Sequence, residues 1–225
     1  MKDFKEFIEE GLHLEEGVND PSIFKAVFMA GGPGSGKSFV ASKSAFGALG
    51  LKSINSDTEF EFSMKRAGLD IEKDVGTPQG QEIRGKAKKR SDIKKFRSLK
   101  GRLGLAIDGT GHDFKKIKKQ KRELEKLGYE TAMVFVNNTL ENSLSGNASR
   151  PRKVPEDIVK ARWEHVQGNL GAFQQLFGND MYIIDNNRGK DDININSTNL
   201  YKKISKWTKQ PPKSRNAKKW IAQNT

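Results

Sequence analysis

Apolar and polar positions along this chain fall into blocks that switch period. "IFKAVFMA" (Ile23 to Ala30) is a short, nearly continuous apolar run, the pattern of a strand buried on both faces. "LKSIN", "RLGLAID", "ETAMVFVN" and "MYIID" repeat it further along. Between these runs the apolar residues recur three and four apart. "KSFVASKSAFGALG" predicts a helix ending near Gly47 or Gly50, and a second helix is expected from about Thr58 to Ala67. Thr77 followed by Pro78 marks the start of a long basic helix through "TPQGQEIRGKAKKRSDIKKF". "DFKKIKKQKRELEKLG" places Phe114, Ile117, Leu124 and Leu127 on one face, with Asp113 as cap and Gly128 as stop. "TLENSLSGNA" reads as a short helix. "PEDIVKARWEHVQGNLGAFQQLFG" reads as one long helix that buries Ile158, Trp163, Val166, Leu170, Phe173 and Phe177. Strands that alternate with helices mean βαβ units and a parallel sheet covered on both faces.

The two ends differ from this middle. "FKEFIEEGLHLEEG" predicts an acidic amphipathic helix with Phe4, Phe7 and Ile8 on one side. After Gly189, "KDDININSTN" is polar and turn-rich, "LYKKISKW" is a short helix, "QPPKS" breaks it, and "RNAKKWIAQ" is a further helix. The expected organisation is an acidic helix over 1–20, a core over 21–190 with a basic break at about 146–155, and a basic extension over 191–225.

Composition narrows the classes. The chain has 225 residues and no cysteine, which excludes disulfides, thiolate catalysis and cysteine-ligated zinc. No apolar run approaches the roughly 18 residues of a membrane span, and the first residues lack a secretory pattern, so a cytoplasmic location is expected. The net charge of +13 is clustered: residues 1–20 carry −5, residues 84–102 carry +9 and residues 201–225 carry +8. Clustered positive charge favours anionic partners such as nucleic acid, nucleotides or phosphorylated metabolites, and is equally what a solvated basic surface looks like.

Residues Gly31 to Ser38, "GGPGSGKS", match G-x-x-x-x-G-K-[ST], the phosphate-binding loop of nucleoside triphosphatases. Successive backbone N–H groups must turn onto one anion, which requires positive φ angles and no Cβ in the way; Gly32, Gly34 and Gly36 are expected to provide that. The helix that opens at Lys37 points its positive end at the phosphates, Lys37 reaches the β- and γ-phosphates, and the Ser38 hydroxyl suits Mg²⁺. Gly32, Pro33, Gly34, Ser35, Gly36, Lys37, Ser38 and Phe39 are the candidate contacts to ATP or GTP. The motif follows an apolar strand and opens a helix, as the chemistry demands.

Ligands in an open parallel sheet gather at the carboxyl ends of strands. Those ends carry Asp57, Asp108 and Asp185, with Asn137 after the fourth strand. One acid can hold Mg²⁺, for which Asp108 is the candidate. Another can accept the proton of an attacking hydroxyl, for which Asp57 is the candidate, with a helix N-cap as its alternative role. "NASRPRKVP" supplies Arg150, Arg152 and Lys153 in a hinge-like break that could close over the nucleotide. His112 and Trp163 read as structural residues, and Trp207 and Trp220 as anchors of the terminal helices or as platforms for nucleic-acid bases.

The combination of "GGPGSGKS", "INSDTEFE", "LAIDGTG", "VFVNNTLENSLSGNASRPRKVPEDIV" and "YIIDNN" resembles the P-loop kinases of the zeta-toxin and polynucleotide-kinase group. The whole chain resembles small kinase-like proteins of tailed bacteriophages, for which the host cytoplasm is the expected location. The resemblance implies a three-layer αβα core with a five-stranded parallel sheet in the order 2-3-1-4-5. It implies Asp57 as general base, Arg150 and Arg152 as lid arginines, and Asn186 or Asn187 beside the nucleotide base. Asp57, Arg84 and Thr110 are the candidate acceptor contacts. Two arginines of that group are missing, one near Gly146 and one where this chain has Phe60; Arg84 or Arg102 is the candidate replacement. The expected activity is Mg²⁺-dependent phosphoryl transfer from ATP or GTP to a hydroxyl of a nucleotide, polynucleotide end or small metabolite. The alternatives are a nucleic-acid-associated NTPase or a nucleotide-binding regulatory module, and a toxin acting on a host metabolite.

Overall fold

The computed structural model describes residues 17–150, 153–187 and 190–225; the acidic segment expected over 1–20 lies outside them up to residue 16, as does Arg152. Five parallel strands form one sheet in the order β2-β3-β1-β4-β5: β1 (Lys25–Ala30), β2 (Lys52–Ile54), β3 (Leu105–Asp108), β4 (Glu130–Asn137) and β5 (Met181–Asp185). This is the α/β sheet and strand order that the sequence and its resemblance imply.

The period of two along β1 divides its side chains between two cores. Ala26, Phe28 and Ala30 pack with Leu105, Phe135, Phe173 and Phe177 on one face. Val27 and Met29 pack with Val40, Val134, Leu200 and Ile204 on the other. The helices are α1 (Lys37–Lys43), α2 (Ser56–Arg66), α3 (Pro78–Lys100), α4 (Phe114–Lys126), α5 (Leu140–Ala148), α6 (Glu156–Gly168), α7 (Leu170–Phe177), α8 (Lys190–Thr208) and α9 (Arg215–Asn224). A third, small cluster of Phe60, Met64 and Ala87 joins α2 to α3 at the β2 edge.

Several elements differ from the sequence expectation. The helix after the glycine loop ends at Lys43 rather than near Gly47 or Gly50, because Ala45 adopts φ 48° and turns the chain to bury Phe46, Leu49 and Leu51. The long helix expected after Pro155 is two helices. They part at Asn169, whose amide donates to the carbonyls of Gly111 and His112 at 3.0 Å each, and Ile158 faces solvent. "KDDININSTN" is helical, continuous with "LYKKISKW" as α8. Ile193, Leu200, Ile204 and Trp207 recur at intervals of seven, four and three, and their burial against the sheet outweighs a turn-like composition.

The terminal helices are anchored by their aromatics. Trp207 is buried under the Lys25 ammonium, which lies 4.9 Å from its ring centroid, and Lys25 pairs with Glu130 at 2.7 Å. Trp220 stands edge-on to Phe24 at 5.6 Å. No helix among the described residues is long and apolar enough to cross a membrane.

Candidate active site

β1 ends at Ala30, and the chain enters the glycine loop on the carboxyl side of the sheet. Gly34 and Gly36 adopt φ 76° and 91°, in the left-handed region. Gly32 does not, contrary to expectation; the residue before it, Gly31, carries the other positive φ of the loop. Gly32 instead faces α6 with space for a Cβ. A Cβ there would stand 3.7 Å from Trp163 of α6, whose indole N–H donates to the Asn138 carbonyl at 2.9 Å. Trp163 is therefore half-buried beside the loop and not a core residue.

The back of the loop is held by other strand ends. Gly31 N donates to the Thr110 carbonyl at 3.0 Å, and the Asn186 amide donates to the Ser35 carbonyl at 3.0 Å. Asn187 accepts from Thr139 N at 2.7 Å, at the start of α5. Asn186 thus braces the loop and Asn187 braces α5. The residue types that the resemblance associates with the nucleotide base have these hydrogen-bonding tasks here.

α5 meets the loop backbone to backbone. A Cβ on Gly146 would lie 2.5 Å from the Gly34 carbonyl oxygen, and a Cβ on Gly34 would lie 2.2 Å from the Ser143 carbonyl oxygen. This explains the missing arginine near Gly146: no side chain fits there while α5 supports the loop. Asn147, one residue on, donates to the Val154 carbonyl at 2.8 Å and accepts from Val154 N at 3.0 Å. It ties the end of α5 to Val154.

Lys37 folds over the loop, donating to the carbonyls of Gly31 at 2.6 Å and Gly32 at 3.1 Å. Burial lowers its ammonium to about 8; Asp108 opposes the shift and Arg150 adds to it. Burial likewise raises the Asp108 carboxyl, with Lys37 opposing, Asp57 adding and Arg150 opposing. Lys37, Asp57, Asp108 and Arg150 therefore share one electrostatic environment, although they come from four separate elements. Ser38, the next residue after Lys37, is exposed at the start of α1.

Asp57 is the second residue of α2 and not its cap. Asn55 caps the helix, accepting from Asp57 N at 2.8 Å and Thr58 N at 3.4 Å, while its Nδ2 donates to Asp108 at 2.5 Å. Asn55 escaped notice in the sequence, although an Asn before "SDTEF" is a usual N-cap signal.

Beyond Asp57, α2 and α3 flank a cavity of about 310 Å³ that opens to solvent and is lined by Ser56, Asp57, Phe60, Gln81, Arg84 and Lys88. The Arg84 guanidinium lies 5.6 Å from the Phe60 ring centroid. Arg84, a candidate replacement for the missing arginine, thus lies beside Phe60 and reaches it from another helix. Arg102 does not: its side chain donates to the Leu99 carbonyl and its own carbonyl accepts from Phe24 N, at the opposite end of the sheet. Thr110 contacts the loop through its carbonyl, and its hydroxyl bonds His112 Nδ1. His112 is exposed beside the cap Asp113, and burial lowers its imidazolium with Arg162 adding to the shift.

The described residues contain no group of three or more His, Asp or Glu placed to hold a metal ion. The available oxygens are Ser38 Oγ and the Asp108 carboxylate, a sparse set that fits Mg²⁺, which keeps most of its shell from water and phosphate. The buried Ser35 Oγ has no hydrogen-bond partner within the loop, so the loop's interior is polar and unsatisfied by protein.

No protein-family model and no curated protein matches the sequence. Solved structures do. A chain of the AvrRxo1-ORF1:-ORF2 complex crystallised with ATP superposes with a TM-score of 0.59 at 14% identity, over 89% of this chain and 72% of that one. In the crystal of that complex with sulphate ions the TM-score is 0.58 at 15% identity, over 80% of this chain and 63% of that one; this chain thus spans less than two thirds of its length. A gluconokinase from Sinorhizobium meliloti gives 0.50 at 13% identity, over 82% and 95%. At these identities the likeness is one of fold: the sheet order and its flanking helices are shared.

Proposed function

We propose that this chain is a phosphotransferase that moves the γ-phosphoryl group of ATP or GTP to a hydroxyl group. The observation that carries the reading is the convergence of Lys37, Asp57, Asp108 and Arg150 at the carboxyl end of the sheet beside the glycine loop. The gluconokinase and the ATP-containing complex that share the fold support the same class.

In this reading the loop amides and Lys37 hold the triphosphate; Ser38 and Asp108 would hold Mg²⁺, which would supply charge neutralisation. Asp57 accepts the proton of the acceptor hydroxyl. That oxygen bonds the γ-phosphorus as the bond from phosphorus to the β–γ bridging oxygen breaks, and the diphosphate leaves. Arg150 places positive charge over the phosphoryl oxygens. Asn147 fixes the base of its segment.

An acceptor screen with labelled ATP tests the reading. Transfer to an acceptor, with Asp57→Ala lowering it at least about 100-fold, is the expected result. No acceptor labelled, with hydrolysis intact in Asp57→Ala, would sink it. The competing reading, a nucleic-acid-associated NTPase, loses the platforms that sequence suggested for it, since Trp207 and Trp220 pack inward.

A further inference from the structure

The cavity between α2 and α3 has a charge pattern of its own. Arg84 and Lys88 lie one helical turn apart on α3, and both line it. Like charges at this spacing repel by a few tenths of a kcal/mol on a helix. Among the described residues neither has a carboxylate within 4.0 Å; the neighbouring Glu82 pairs with Lys86 at 2.6 Å instead. Arg84 is held over the Phe60 ring, which orients its fork without neutralising it. The one acid in the lining is Asp57. The cavity is thus positive at its α3 wall and carries the general-base candidate at its α2 wall.

We propose that this cavity binds a small phosphorylated alcohol, with its phosphate group on Arg84 and Lys88 and its free hydroxyl toward Asp57. Four residues apart on α3, with Cβ atoms about 5–6 Å from each other, a guanidinium fork and an ammonium can both reach the oxygens of one phosphate. A volume of about 310 Å³ suits a molecule of metabolite size. The aromatic residue of the lining, Phe60, is buried as a floor and offers no face for a stacked base, which favours a small acceptor over a polynucleotide. Transfer would yield a product with two phosphate groups and a diphosphate, the hydroxyl proton passing to Asp57. The hydroxyl's role rests on the phosphotransferase reading; the anion site does not.

Calorimetric titration tests the two separately. A non-hydrolysable ATP analogue with Mg²⁺ first saturates the glycine loop. Hexose 6-phosphate, ribose 5-phosphate and ribonucleoside 5′-monophosphates are then titrated, each against its dephosphorylated counterpart, with a 5′-hydroxyl oligonucleotide alongside. At least one phosphorylated member should bind about 30-fold or more tighter than its counterpart. Arg84→Gln and Lys88→Gln should each lose about 10-fold or more of that affinity while melting as wild type, and Lys94→Gln, on exposed α3 surface, should lose none. Unchanged affinity in Arg84→Gln and Lys88→Gln, equal binding of the uncharged alcohols, binding of the oligonucleotide alone, or binding of no probe would each overturn the proposal. Binding as expected, without transfer from labelled ATP, would leave the anion site standing and remove the phosphotransferase reading.

Discussion

Asn55 holds Asp108: its Nδ2 donates to Asp108 Oδ2 at 2.5 Å, while its Oδ1 accepts from the amide of Asp57 at 2.8 Å. One carboxamide therefore couples the end of β3 to the start of α2, and with them the two acids assigned to metal and base. The two hydrogen bonds can be removed separately. Asn55→Ser keeps an N-cap and loses the reach to Asp108; Asn55→Ala loses both. Asn55→Ala is expected to cost about 1 kcal/mol of stability and Asn55→Ser only a few tenths. Both are expected to lower phosphoryl transfer by about 10-fold or more and to raise the Mg²⁺ concentration needed. If Asn55→Ser transfers phosphate as wild type does, the contact to Asp108 has no part in the chemistry.

Lys37 makes the fold pH-dependent in a defined direction. Its ammonium is lowered from 10.5 to about 8, chiefly by burial. Between those values the folded chain binds fewer protons at Lys37 than the unfolded chain, so this residue's cost is full below about pH 8 and fades as pH rises toward 10.5. Lys37→Met should raise the melting temperature at pH 7 by about 2–4 °C, and by less at pH 9.5. It should also abolish nucleotide binding. Wild-type protein should take up protons on binding ATP near pH 9, because the triphosphate restores the ammonium. Calorimetry in buffers of different ionisation enthalpy reads this directly, and a zero proton count there contradicts it.

The contact of Gly34 with Gly146 is backbone on backbone. Gly146→Ala forces a shift of the glycine loop or of α5, and should cost about 1–3 kcal/mol and weaken ATP binding about 10-fold. Gly171→Ala, in α7 with nothing within 4 Å of the added Cβ, is the matched control and should be neutral or stabilising. Equal behaviour of the two variants in melting and nucleotide titration would refute the packing argument.

Asn147 ties the two ends of the arginine segment through Val154. Asn147→Ala leaves two backbone groups of Val154 unpaired and should cost about 1–3 kcal/mol. If that tie positions Arg150, kcat should fall while KM for ATP changes little, and trypsin should cut between residues 150 and 153 faster. A rise in KM alone would assign Asn147 to nucleotide binding instead.

The alternation of apolar runs and amphipathic helices determined the α/β class, because each strand and helix carries its own period within ten or so residues. The phosphate loop was legible for the same reason: strand, glycines, Lys37, Ser38 and helix are contiguous, and their chemistry is local. The tertiary structure decided everything that joins distant residues. It turned the chain at Ala45 to bury Phe46, Leu49 and Leu51, it broke the helix at Asn169 where the amide bonds Gly111 and His112, and it made a helix of "KDDININSTN" because Ile193, Leu200 and Ile204 face the sheet. It brought Arg84 from α3 to the position beside Phe60, and Asn55 between two acids. It removed the side chain at Gly146 by pressing α5 against the loop. Such pairings depend on how the elements pack, and their residues carry no mark of it in their own neighbourhood of the chain.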